Sequence, residues 1–196
     1  MTKAALSSLV AACALSAYAC APERDVDLAR TVRLVSTPTS ISALSSSHDC
    51  SALPAEITFG GSQDRSALYL KFPADFAIHG TPLKAFIALS PREDASADAT
   101  PVVIEAWRVN AAWEPAELRA WSDKPPLAPP YARVDINSSP TRELRIDVTE
   151  LVRFAAQNPA LDFGFALLGQ AGPGHGASFA TGISGGDAPR LEVYVR

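Results

Sequence analysis

The sequence predicts an all-β protein built as an antiparallel sandwich of sheets. Three observations predict it. Several short segments alternate apolar and polar residues with a period of two, which gives each strand one buried and one wet face. Proline (16) outnumbers glycine (11) among these short runs, and long amphipathic helical patterns are missing. One segment, Phe163-Gly164-Phe165-Ala166-Leu167-Leu168, is apolar on both parities, as a central strand should be. The composition, 47% hydrophobic and 19% charged, is that of a globular chain.

Residues 1–19 read as an export signal. Lys3 is the only charge among them, and residues 4–19 are mostly Ala, Leu, Ser and Val. Ala17-Tyr18-Ala19 is the small-x-small pattern expected before a cleavage point. The stretch is short for a membrane span. Cys20 follows at once, and the junction resembles a bacterial lipoprotein signal, in which that cysteine becomes the acylated first residue. Such signals carry Leu three residues before the cysteine, where this chain has Ala17. Val10-Ala11-Ala12-Cys13 is a rival junction, but it leaves a leader of twelve residues. Lipidation is therefore expected at Cys20, with ordinary secretion after Ala19 as the alternative. An acylated Cys20 leaves Cys50 as the single thiol of the mature chain. Ordinary cleavage would instead permit a Cys20–Cys50 disulfide.

Residues 20–54 read as a tether with one candidate strand, where Thr31-Val32-Arg33-Leu34-Val35 alternates weakly. The Ser/Thr-rich stretch 36–47 has the composition of a linker or an exposed loop. The folded domain is expected over 55–196. Leu68, Leu70 and Phe72 alternate with Tyr69 and Lys71. Leu83, Ala85, Ile87 and Leu89 alternate with Lys84, Phe86 and Ala88. Val134 and Ile136 alternate with Arg133 and Asp135, Leu144, Ile146 and Val148 with Arg145 and Asp147, and Leu191, Val193 and Val195 with Glu192 and Tyr194. One short helix is predicted over 148–157. Asp147 would cap it, Glu150 would complete a capping box, and Pro159 would end it.

Chemistry is sparse. A net charge of -4 with scattered Lys and Arg gives no nucleic-acid footprint. Gly182-Ile183-Ser184-Gly185-Gly186 matches G-x-S-x-G, but that mechanism needs a following helix and a later histidine, and a terminal strand follows instead. The motif reads as a glycine-rich turn. Gly172-Pro173-Gly174-His175-Gly176 opens no helix, so it is a poor phosphate cradle. His48, His79 and His175 lack metal-ligand spacing, and neither metal nor cofactor is expected. Glu105, Glu114, Asp135, Glu143 and Asp147 could supply a glycosidase pair, but alternating charge on wet sheet faces accounts for them. The aromatic residues Tyr69, Trp107, Trp113, Trp121, Tyr131 and Tyr194 are the more interesting class, since flat rings with polar neighbours suit sugars.

A set of motifs runs in order along the chain: Arg65-Ser66-Ala67-Leu68-Tyr69-Leu70-Lys71-Phe72, Val103-Ile104-Glu105-Ala106-Trp107-Arg108-Val109, Trp113-Glu114, Ala120-Trp121-Ser122-Asp123-Lys124-Pro125, Asp147-Val148-Thr149-Glu150-Leu151-Val152, the central 163–168 segment and Pro189-Arg190-Leu191-Glu192-Val193-Tyr194-Val195. Their order and spacing resemble the DNRLRE domain, a bacterial module grouped with carbohydrate-binding modules. The likeness covers about 57–196 and departs from the family pattern at Ala120-Trp121-Ser122-Asp123-Lys124-Pro125. It implies a jelly-roll-like β-sandwich; some members of that family bind carbohydrate, particularly acidic polysaccharides, while many only accompany other extracellular domains. The expectation is a non-catalytic, exported surface lipoprotein that binds polysaccharide and touches the membrane through its lipid anchor alone. The alternative is a structural or adhesive cell-envelope protein with a protein partner and no glycan. Trp113 and Trp121 are expected to pack a loop against the sandwich. Tyr69, Lys71, Trp107, Arg108 and Tyr194 are the candidate ligand contacts. Tyr69, Lys71 and Tyr194 fall on the polar parity of their strands.

Overall fold

The computed structural model describes residues 31–47, 52–60, 64–92, 101–136, 142–170, 176–182 and 186–196. The leader, Cys20, Cys50, His48, His175 and the middle of the G-x-S-x-G stretch lie outside the described residues. Strands are numbered in chain order. One layer is a four-stranded sheet in the order β1 (Val32–Ser36), β11 (Arg190–Val195), β5 (Pro82–Leu89), β8 (Leu144–Asp147). The other is a five-stranded sheet in the order β2 (Ser40–Ser45), β4 (Ser66–Lys71), β9 (Phe165–Gly169), β6 (Val102–Val109), β7 (Leu127–Ile136). A third pair, β3 (Glu56–Phe59) with β10 (Ala177–Ala180), joins the chain just beyond β5, where Ala180 N–H donates to Ser90 and Arg92 N–H donates to Ser178. Every pairing is antiparallel. Of the sheet neighbours, only β6 and β7 follow one another in the chain. Strands that keep crossing between layers make a jelly-roll-like sandwich.

The inward parities meet in one core. Leu68, Leu70, Ile104 and Leu167 of the five-stranded sheet pack with Ile87, Leu89, Leu191 and Val193 of the four-stranded one. Full burial of each such side chain contributes about 1.5–3 kcal/mol. β9, apolar on both faces, is the middle strand of its sheet, as its sequence predicts.

The helix α1 spans Thr149–Gln157, with Leu151, Val152 and Ala155 turned to the core. Its start differs from the expected capping box. Asp147 ends β8, and its Oδ1 accepts from the N–H (3.0 Å) and hydroxyl (2.5 Å) of Thr149. The Thr149 hydroxyl oxygen in turn accepts Ala85 N–H at 3.0 Å, which ties the helix to β5. Glu150 bonds Arg153 at 2.7 Å rather than folding back on the cap.

The stretch expected to be a linker or loop is a strand. β2 runs antiparallel to β4, and Ile41, Ser42, Ala43 and Leu44 are buried. β1 pairs with β11 as its weak alternation suggests. The domain therefore includes residues from Val32 onward, not from 55. Small serines disguised β2, because Ser42 tolerates burial beside apolar neighbours.

Candidate ligand-binding face

The outer face of the five-stranded sheet carries the richest polar and aromatic chemistry. Strand register aligns Ser42, Tyr69, Ala166, Trp107 and Tyr131 in one row, and Leu44, Ala67, Leu168, Glu105 and Arg133 in the next. Part of this face is covered. The connection from β6 to β7, residues 110–126, folds over it as a strap. Trp113 and Leu118 are buried there with Leu44, Ala67, Tyr69, Val109 and Ala166 in a second apolar cluster. Trp113 Nε1 donates to the Phe163 carbonyl at 2.8 Å, and its ring meets Tyr69 edge-on at 5.7 Å. Lys71 fastens the same segment by donating to the Trp113 carbonyl and, at 3.2 Å, to Glu114.

Beyond Leu118 the strap turns outward. Asp123 accepts the N–H groups of Ala120 (2.8 Å) and Arg119 (3.2 Å), which fixes a short 3-10 turn, Trp121–Asp123. Those two backbone donors hold the Asp123 carboxyl below its usual range. The Lys124 ammonium lies 3.7 Å from the centroid of the Trp121 ring, a cation–π contact. Between this turn and the sheet lies a groove of about 440 Å³, walled by Trp121, Lys124, Glu105, Leu168 and Gln170, with Arg65 at its rim. The volume falls within the usual range for small-ligand sites, about 300–1,000 Å³. Burial pushes the Lys124 ammonium below its usual pKa, and the charge of Arg65 adds to the effect. Neither cation has an ion-pair partner among the described residues.

Glu105 links the groove to a second feature. It accepts the Trp107 indole N–H at 3.0 Å, and Trp107 stacks on Tyr131 at 4.3 Å and 14°. The two rings are direct cross-strand partners, and the register shifts just after them: Trp107 faces Tyr131, but Arg108 faces Ala128, so Pro129 and Pro130 bulge from β7. Proline, lacking an N–H, suits a bulge in an edge strand.

Of the five expected contacts, Tyr69 alone lines the groove, and the half-buried Trp107 stands behind it, bonded to the lining residue Glu105. Tyr69 has the expected outward parity but is 0% exposed, because the strap packs over it, and it forms part of the groove's floor. Lys71 is committed to the strap. Arg108 shares the inward parity of Ile104 and Ala106 and is buried. It donates to the Pro129 carbonyl (3.2 Å) and to Asn110 (3.0 Å) and lies 4.3 Å from the Phe154 ring, so it braces the bulge. Tyr194 is on the outer face of the opposite sheet, against Phe86 at 6.2 Å, and accepts from Arg145 at 3.3 Å. The five do not form one site. Trp113 and Trp121 pack the strap as expected, but Trp121 also walls the groove. Arg65 and Gln170 carried no sequence signal of their role, since only the fold brings them to Lys124.

The acidic candidates are dispersed. Glu114 bonds Lys71, Asp135 bonds Arg133, Glu143 bonds Arg190, and Asp147 bonds Lys84 and Thr149. His79 is exposed. Among the described residues no group of three or more His, Cys, Asp or Glu side chains converges as metal ligands would, and no helix is long and apolar enough to cross a membrane. Compared with known proteins, the chain matches no protein-family model and no curated protein.

Proposed function

We propose that this protein is a non-catalytic, exported, lipid-anchored surface protein that binds polysaccharide on the outer face of its five-stranded sheet. The carrying observation is the groove beside Trp121, where Lys124 and Arg65 meet Glu105 and Gln170. An indole wall offers apolar area for the C–H face of a sugar at low entropic cost. The surrounding ammonium, guanidinium, carboxylate and amide groups can donate to and accept from hydroxyls. The two cations, which have no carboxylate partner among the described residues, favour a uronate or sulfate along the chain. The order of motifs resembles that of the DNRLRE domain, and the signal ending at Cys20 supports acylation there.

The test is retention of the full chain in affinity electrophoresis against polygalacturonate, hyaluronan, xylan and soluble β-glucan. Retention is expected on at least one polymer and should be weakened by Trp121→Ala and Lys124→Ala. Binding to an acidic polymer should also weaken with salt. No retention on any of the four sinks the polysaccharide reading. A crosslinked envelope protein in that case would favour the structural or adhesive role. Anchoring is tested by mass spectrometry of the mature N-terminus; an unmodified Cys20 rejects it.

A further inference from the structure

Resting on that reading, we infer that the ligand is a stretch of several units of a linear polysaccharide, bound across the sheet, rather than a single sugar. Two hollows carry the inference. The first is the groove between Trp121 and the sheet. The second, of about 280 Å³, opens at the β7 edge between Tyr131, Lys84, Asp147 and Arg153. They are joined by one continuous series of contacts. Glu105 walls the first hollow and accepts from Trp107; Trp107 stacks on Tyr131; Tyr131 lines the second.

The span sets the length of the occupant. From β4, which Arg65 precedes, to β7, which holds Tyr131, there are three strand spacings, roughly 14 Å. That exceeds one pyranose ring. A monosaccharide filling the groove would not reach Tyr131, whose stacked ring is 54% exposed and open to a longer ligand. The second hollow is also chemically suited to hydroxyls. Lys84 and Asp147 form a surface pair at 3.2 Å, so donor and acceptor stand side by side without net charge. A chain entering over Trp121 and leaving past Tyr131 meets cations first and balanced polar groups last.

The experiment is calorimetric titration of the full chain with size-fractionated oligomers of whichever of the four polymers is retained most strongly. Affinity should rise over the first few units and then level off. Tyr131→Ala should lower affinity for the longest oligomers about tenfold and leave the shortest unchanged. Its exposed position makes it a safe substitution for folding, which circular dichroism checks. Equal affinity for monomer and long oligomer overturns the inference while polymer retention still supports the proposed function. So does an undiminished affinity of the Tyr131→Ala protein for long oligomers. Failure of every polymer to be retained removes both.

Discussion

Replacing Tyr69 by phenylalanine should stabilise the protein, although the residue is completely buried. The ring is held between the five-stranded sheet and the strap, edge-on to Trp113. Its hydroxyl is also buried and finds no hydrogen-bond partner among the described residues. Burial pushes the phenol well above its ordinary pKa, so it is a neutral, desolvated donor at any physiological pH. An unpartnered buried hydroxyl costs about 1–3 kcal/mol. Tyr69→Phe removes that cost and keeps the ring, at the loss of a few dispersion contacts of about 0.1–0.2 kcal/mol each. The net expectation is a gain of about 1 kcal/mol, which in a chain of this size raises Tm by roughly 2–4 °C. Urea unfolding followed by tryptophan fluorescence would show a higher midpoint with an unchanged slope. Tyr69→Ala is the control, since deleting the ring should cost about 3–5 kcal/mol. A loss of 1 kcal/mol or more in Tyr69→Phe would refute the reasoning, for it would mean that the hydroxyl is hydrogen-bonded in the folded protein.

Three further outcomes follow from the same geometry. Trp113→Ala should cost about 3–5 kcal/mol in urea unfolding and abolish polymer retention under native conditions, since the strap that carries Trp121 loses its anchor in the second apolar cluster. Gly164→Ala should lower stability by about 1–3 kcal/mol: Gly164 has φ +89°, and a Cβ there would stand 2.3 Å from the Leu70 carbonyl oxygen. Glu192→Gln should flatten the acid side of the stability curve. Burial at 2% exposure pushes Glu192 upward, but the hydrogen bond from Arg33, the charges of Arg145 and Arg33, and the bond from Arg145 outweigh it and hold the carboxyl below its usual value. A depressed carboxyl stabilises the fold above its unfolded pKa, about 4.3, and that contribution is lost as pH falls through the folded value. Thermal melts between neutral pH and pH 3 would check it, and identical acid limbs for the two proteins would reject it.

Period-two alternation was enough to place the strands that face solvent on one side. Leu191, Val193 and Val195 are buried as their parity requires, and so are Ile146 and Ile87. Residue chemistry within a few positions decides such features, so they are legible in the chain. β2 was illegible because serine is neutral in strand patterns, and its burial comes from β4 and the strap rather than from its own residues. Arg108 shows the same limit at the site. Its neighbours suggested an exposed cation beside Trp107, but the inward parity of β6 and the proline bulge of β7 commit it to a structural bond.

The sequence by itself determined the all-β class, the central position of β9 and the short helix, because each rests on local spacing of apolar side chains. The tertiary structure alone decided which polar residues share a surface. Arg65, Glu105, Lys124 and Gln170 come from four separated segments, and Tyr69 and Tyr194, alike in parity, finish on opposite sides of the sandwich. Parity tells whether a side chain points outward; what then covers it, or gathers beside it, depends on strand order and on a strap whose path is set by long-range packing.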